Sequence, residues 1–269
     1  MISRLKHWPW LGDLVVRRIY RNARVLLSGK VVAGGFSLMY VSLAAHTLGA
    51  ELFGVLVLVN AYTLSVAAIV TLQGRFALVR YAALSLIEES RQELGNLLSF
   101  VLLIEVGFGL LAITLSALLA PVAAEKFGWP AESLNVIMFY SLACVSMMHS
   151  MPAGVLFVFR RFHQLSIQQT VGPFVRLLGA LTAYWLEAGL NGFLLAWLAG
   201  TVAEATAQWI FGLRELSRQG LLRGLLHWPV GVTRQHAGIW RFLLANKLNV
   251  SLEELSNRIT PLAVGWMLG

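Results

Sequence analysis

Residues 26–72 read LLSGKVVAGGFSLMYVSLAAHTLGAELFGVLVLVNAYTLSVAAIVTL, two apolar segments joined by the turn HTLGAELFG at 46–54. The first segment, 26–48, counts 23 residues. That is enough to cross a hydrocarbon core about 30 Å thick at about 1.5 Å per helical residue. The second, 55–72, counts 18, the short end of the spanning range, and its helix is expected to run on past Gln73. A connection this short sends the second helix straight back. The pair therefore reads as a helical hairpin, and the chain downstream repeats that unit.

Composition extends this reading to the whole chain. Of 269 residues 58% are hydrophobic and only 13% charged, with a mean hydropathy of +0.71. A soluble domain has roughly a quarter of its residues charged, so the expected class is an all-α polytopic membrane protein. A net charge of +8 suggests a nucleic-acid partner. The basic residues, however, are spread over alternate loops rather than gathered in one patch, so membrane lipid is the expected partner and nucleic acid is not. The single cysteine, Cys144, lies in an apolar segment and reads as a small buried packing residue. It excludes an intrachain disulfide and a paired-thiolate metal site. Residues 42–44, SLA, resemble a signal-peptide cleavage site, but the basic lead is 24 residues long and the apolar run exceeds an h-region, so the first span is expected to be retained.

Residues 1–24 carry six basic side chains against Asp13 and are expected to lie along the cytoplasmic face, basic side toward lipid headgroups. A mixed stretch at 75–95 is expected to hold the inner end of the second helix and then a cytoplasmic turn, and a third span over 97–120 is expected to be stopped by Pro121. An outer loop spans 125–133; a fourth span, 134–159, is capped by Arg160 and Arg161. Spans over 165–185 and 190–213 are joined at 187–189, a basic linker covers 216–238, and a polar seventh span begins at Ile239. The expected division is a basic interfacial segment (1–24), a six-helix bundle (25–213), a linker (214–238) and the first helix of a second bundle (239–269). Sixteen of the 21 basic residues fall on one side, and the outer loops hold only Lys126. This asymmetry places the N-terminus in the cytoplasm. Trp129, Trp185 and Trp266 fall near the outer boundary and Trp209, Trp228 and Trp240 near the inner one, while Trp197 lies inside a span.

LLxxK opens both the first span and the seventh, at 26–30 and 243–247, and Leu-Gly closes both, at 48–49 and 268–269. A parallel repeat of two six-helix halves would account for this, with the chain stopping one helix into the second half of a transporter of about twelve spans.

Ionisable groups at membrane depth are functional candidates by default. Helical rise puts Glu105, His149, Arg176 and Glu204 at roughly 12–17 Å from the inner surface, near the midplane. Gln169, Gly172, Arg176, Gly179 and Ala183 form a small and polar stripe on the fifth span; Trp197, Thr201, Glu204 and Gln208 form a matching one on the sixth. Gly172 and Pro173 interrupt the hydrogen-bond ladder of the fifth span. An Arg176–Glu204 bridge that only holds helices together is the rival reading, and for His149 satisfied packing is the preferred one. On the seventh span Lys247, Glu254 and Arg258 fall near one face, with Glu254 and Arg258 spaced to pair. Lys30, near the inner end of its span, is expected to snorkel. No phosphate loop and no metal-ligand spacing is present, so neither ATP hydrolysis nor a metal or other cofactor is expected.

LSGK at 27–30, LGAELFG at 48–54, RRFH at 160–163 and LNGF at 190–193 together resemble the polysaccharide exporters. These are the O-antigen and exopolysaccharide flippases of the multidrug/oligosaccharidyl-lipid/polysaccharide superfamily, and the resemblance covers most of 26–269. Where many of these exporters show Ile-Asp-Arg, this chain has Ile259, Thr260 and Pro261. The resemblance implies a transporter, not an enzyme. It would move an undecaprenyl-pyrophosphate-linked oligosaccharide across the bacterial inner membrane by alternating access. Arg176, Lys247 and Arg258 would then attract the pyrophosphate, and Glu105, Glu204, Glu254 and His149 would be candidates for proton or sodium coupling. Multidrug or other lipid-precursor export, a membrane-embedded polymerase or glycosyltransferase, and a non-transporting truncated remnant are the alternatives.

Overall fold

The computed structural model describes residues 9–87, 90–226, 228–248 and 252. Glu254 and Arg258 lie outside the described residues, as does the seventh span beyond 248 apart from Leu252. The described chain is all-α, with no strand. Three helical stretches, Tyr20–Val70, Arg91–Phe127 and Ala131–Val158, are long and apolar enough to cross a membrane.

The first helix, α1 (Pro9–Val70), runs for 62 residues and is interrupted only at Gly49, whose φ of 72° and ψ of 175° suit a residue without Cβ. Its neighbours show that the chain reverses there. Before Gly49, Gly29 abuts Ser166, Phe36 meets Phe174 and Tyr40 meets Arg176, so this arm runs parallel to α6 (Phe162–Trp185). Gly179 against Ala196 and Gln168 against Glu204 make α6 antiparallel to α7 (Gly189–Arg218). Trp209 at Met148 and Gly212 at Pro152 make α7 parallel to α5 (Ser150–Val158). After Gly49, Asn60 bonds Tyr140 and Leu78 abuts Gly154, so the second arm runs with α5 and against the first. The hairpin is present, with its reversal concentrated at Gly49 rather than spread over 46–54. Residues 9–24 continue the first arm as helix instead of forming a separate interfacial segment.

Several expected boundaries move. The second arm does not run on past Gln73: it ends at Val70, and after 71–74 the chain resumes as α2 (Arg75–Ile87). The third span, α3 (Arg91–Phe127), passes straight through Pro121 and ends at Gly128 in the left-handed region. Proline removes one N–H from the ladder, and the neighbouring turn is held by the Tyr62 hydroxyl, which donates to the Ser116 carbonyl at 2.7 Å. The outer loop thereby shrinks to 128–130 and a 3-10 turn, Ala131–Ser133. The fourth span is not one helix but α4 (Leu134–Tyr140), a 3-10 stretch over Ser141–Met147, a break at 148–149, and α5. The helix expected as the sixth span, α7, runs on to Arg218, and the linker beyond it is docked. Gly224 lies against Gly95, its carbonyl accepts from Ser99 Oγ at 2.7 Å, and Tyr81 packs on His236 just beyond α8 (Val232–Gln235).

Two cores result. One, at the end where the chain turns, joins Tyr40, Ala44, Leu56, Val59, Tyr62, Trp129, Tyr140, Phe193 and Trp197. Trp129 is buried there against Tyr62 and Phe127 rather than lying in an interfacial belt. The other lies at the end that carries Arg75, Arg80, Arg91, Arg161 and Arg218, and is built from α2, α3, α5, the close of α7 and residues 221–243. Neither the first arm nor α6 contributes to it among the described residues.

Candidate functional site

Between the basic-end core and the pair formed by the first arm and α6 lies a cleft of about 510 Å³. Its lining combines the apolar side chains of Leu26, Leu27, Phe157 and Leu165 with Lys30, Arg75, His149, Gln168, Gln169, Glu204 and Gln208. A second cavity of about 240 Å³ shares His149, Gln168, Glu204 and Gln208 with the first and reaches Arg176 and Thr201. The two together lead from the basic end toward the middle of the bundle.

Close helix contact makes the deep end. Gly172, Gly179 and Gly200 are positions where a Cβ would strike the neighbouring helix, at Glu204, Ala196 and the Gly172 carbonyl respectively. The two small and polar stripes of α6 and α7 therefore face each other. Arg176 donates to the Tyr40 hydroxyl at 3.3 Å and to Thr201 Oγ1 at 3.0 Å, and its guanidinium stands 5.8 Å from the Tyr40 ring centroid. Its Nε is buried and has no partner. No ion pair joins Arg176 to Glu204: the Glu204 carboxylate accepts instead from Gln168 Nε2 at 3.3 Å. The rival reading of a static bridge therefore does not describe this conformation.

Glu105 and Lys247 do different work. Glu105 is buried and does not line either cavity; its carboxylate accepts the N–H groups of Ser150 and Met151, the latter at 2.8 Å. A carboxylate on α3 thus caps the N-terminus that the 148–149 break creates in α5, where exposed N–H groups and the helix dipole both favour negative charge. Lys247 does the converse. Its ammonium donates to the Ala68 and Thr71 carbonyls at 2.5 Å each, where the second arm of α1 ends. Polar backbone at this depth must be satisfied within the protein, and these two charges satisfy it. The rest of the 148–149 break is held from α7, with Trp209 Nε1 donating to the Met148 carbonyl at 2.8 Å and Gln208 Nε2 to the His149 carbonyl at 3.4 Å. The His149 ring meets the Ser146 carbonyl through Nδ1 and lines both cavities.

At the rim, Arg161 forks onto Glu215, Nε to Oε2 at 2.8 Å and Nη2 to Oε1 at 2.9 Å, and Gln219 Nε2 adds a bond at 2.8 Å. Glu215 is fully buried. Burial alone would raise its carboxyl, but the bonds from Arg161 and Gln219, with the charges of Arg161 and Arg218, bring it below its ordinary value.

Three of the four midplane residues named from the sequence, His149, Arg176 and Glu204, meet at the deep cavity, and Glu105 does not. Sequence reasoning missed Arg75, which it placed at the inner end of the second helix, and Tyr40, which it placed in an apolar run. It placed Lys30 at the lipid interface, whereas the residue lines the cleft. Spacing along one helix carries no signal for such contacts, because each depends on which helix lies opposite. Among the described residues no three His, Cys, Asp or Glu side chains are grouped as a metal-ligand set.

The chain is an all-α membrane protein. It is 29% identical over 265 residues to the inner membrane protein YghQ of Escherichia coli (strain K12), in an alignment covering 98% of this chain and 74% of that protein. No family model matches the chain. No solved structure matches it either.

Proposed function

We propose that the protein is a flippase of the bacterial inner membrane, with its N-terminus in the cytoplasm, that carries a lipid-linked oligosaccharide by alternating access through this cleft. The similarity to an inner membrane protein supports the location. The observation that carries the reading is the lining of the cleft. Leu26, Leu27, Phe157 and Leu165 in the lining suit a lipid chain, while Lys30, Arg75 and Arg176 against the carboxylate of Glu204 suit an anionic headgroup. Three glutamine amides supply donors and acceptors for sugar hydroxyls. A cationic drug would meet three like charges on this path, so export of such drugs is disfavoured. Glu204 and His149 are the titratable groups placed to couple a proton or sodium gradient to the movement. Arg176, with its unpartnered Nε, is the residue assigned to the phosphate.

The test is translocation of a fluorescent prenyl-pyrophosphate oligosaccharide by the full-length protein in proteoliposomes. Arg176→Lys should insert at normal abundance and translocate about tenfold more slowly, because lysine keeps the charge and loses the planar fork. Wild-type rates in both Arg176→Lys and Arg176→Gln would remove Arg176 from the site. Loss of abundance in Arg176→Gln that a paired Glu204→Gln repairs would make it architecture.

A further inference from the structure

We infer that the carbonyls of Ala68 and Thr71, where the second arm ends, form a site for a monovalent alkali cation. The Lys247 ammonium fills that site in this conformation and gives it up when its helix moves away. The second arm stops at Val70, and the chain resumes as α2 only at Arg75. The last carbonyls of a helix lack the N–H partners of the next turn, and the macrodipole adds partial negative charge to them. In an interrupted membrane helix such carbonyls serve as oxygen ligands for a cation. Here two of them converge on one nitrogen, at 2.5 Å each, and both residues are buried. No carboxylate of the described residues shares the charge, because both ion pairs among them end on Glu215. The place therefore holds a full positive charge on backbone oxygens.

The ligands are held in place without Lys247. The Thr71 N–H and Thr71 Oγ1 both donate to the Ala67 carbonyl, at 2.9 and 2.7 Å, which pins the last turn. Behind the break Gly74 is pressed against α3, where a Cβ would lie 2.5 Å from Val101 Cγ1. Lys247 reaches the site from a separate helical stretch, residues 239–248, whose Ile239 and Leu243 belong to the basic-end core. It is a tethered cation, and it lines neither cavity, so the site is distinct from the cleft that holds Glu204 and His149. Exchanging the ammonium for sodium or potassium leaves the charge at the site unchanged, and carbonyl oxygens replace the hydration shell of such ions. Withdrawing it with no replacement would leave polar backbone without this partner inside the membrane, which is costly. In an alternating-access protein the helix that carries Lys247 moves against the second arm, so its departure and the entry of a cation become one step. That coupling rests on the flippase reading above; the site itself does not.

The experiment is thermal unfolding of the full-length Lys247→Ala protein in lipid nanodiscs, in sodium, potassium or choline chloride at one ionic strength. In choline the variant should unfold below wild type. Sodium or potassium should restore it, with the unfolded-to-folded ratio falling about tenfold for each tenfold rise in the ion beyond saturation. Wild type should need at least about tenfold more ion for the same gain, because the ion must displace a tethered ammonium. Lys247→Met, whose chain fills the place without a charge, should not respond. Equal midpoints of Lys247→Ala in the three salts, or an equal response in Lys247→Met, overturn the site. So does a Lys247→Ala protein that folds in none of them. Exchange is read on the protein that keeps Lys247, with Cys144→Ser as background and spin labels at Leu118→Cys and Leu248→Cys, both exposed positions. Sodium or potassium, at concentrations above those that saturate Lys247→Ala, should add a second distance population that choline does not. A distribution unchanged by all three salts overturns the exchange. Neither measurement reads translocation, so a failed flippase assay and a failed cation site remain separate results.

Discussion

From Gly172 to Gly179, α6 and α7 are in close contact: Gly179 leaves about the space of a hydrogen against Ala196, and Gly200 presses on the Gly172 carbonyl. Below Gly172 the same two helices are bridged by long polar side chains, Gln168 to Glu204 and Arg161 to Glu215, with the cleft between them. Small residues let two helices approach until their main chains touch, which makes a fixed joint. Polar side chains reaching across a gap leave room for a ligand and can be exchanged for water or substrate. One helix pair thus serves as a rigid seam at the turn end and as a wall of a cleft at the basic end.

The largest effect should come from Glu105, which ties α3 to the broken fourth helix on the rigid side of the cleft. Glu105→Leu leaves the buried N–H groups of Ser150 and Met151 without an acceptor, at about 1–3 kcal/mol for each. Thermal unfolding in detergent should show a loss of about 2–6 kcal/mol, and Glu105→Gln, which keeps one acceptor oxygen, a smaller one. A Glu105→Leu protein as stable as its parent would mean that the cap is idle and that the basic-end core holds α5 unaided.

Next comes a pair of matched glycine substitutions. Gly200→Ala would place a Cβ 2.7 Å from the Gly172 carbonyl, so the rigid seam must open, at about 1–3 kcal/mol. Gly34→Ala meets nothing and should stabilise by about 0.5–1 kcal/mol, the helix preference of alanine over glycine. Equal effects at the two positions would erase the distinction between the tight seam and the open stretch of the first arm.

The smallest effect is the pH response of the Arg161–Glu215 pair, a latch between the turn that joins α5 to α6 and the end of α7. Because the folded Glu215 carboxyl lies below its ordinary value, its contribution is complete above the unfolded pKa of about 4.3 and is lost as pH falls through the lower, folded one. Arg161 is partly exposed, which holds the contribution to about 1 kcal/mol. The stability difference between wild type and Glu215→Gln should stay constant from pH 7 to about 4.3 and shrink only below it. A difference that fades between pH 7 and 5 would show that the latch does not hold the carboxylate charged.

Hydropathy and length alone were enough for the all-α membrane class, the hairpin around Gly49, and the stripes of α6 and α7. Each follows from the local rule that apolar length sets a span and helical period sets a face. Local rules failed wherever a neighbouring helix supplies what the chain lacks. Pro121 does not end α3, because tertiary contacts keep the helix intact around one missing bond. The fourth span, read from the sequence as one helix, breaks at 148–149, where Glu105, Gln208 and Trp209 satisfy its freed backbone groups. Which buried charges face the cleft and which cap helix ends was likewise decided only by packing. Glu105 and Glu204 look alike along the chain and at depth, and the difference between them is what lies opposite: open N–H groups for one, a cavity for the other. The burial of an ion in a membrane is set by its surroundings in three dimensions, and those surroundings come from helices far apart in sequence.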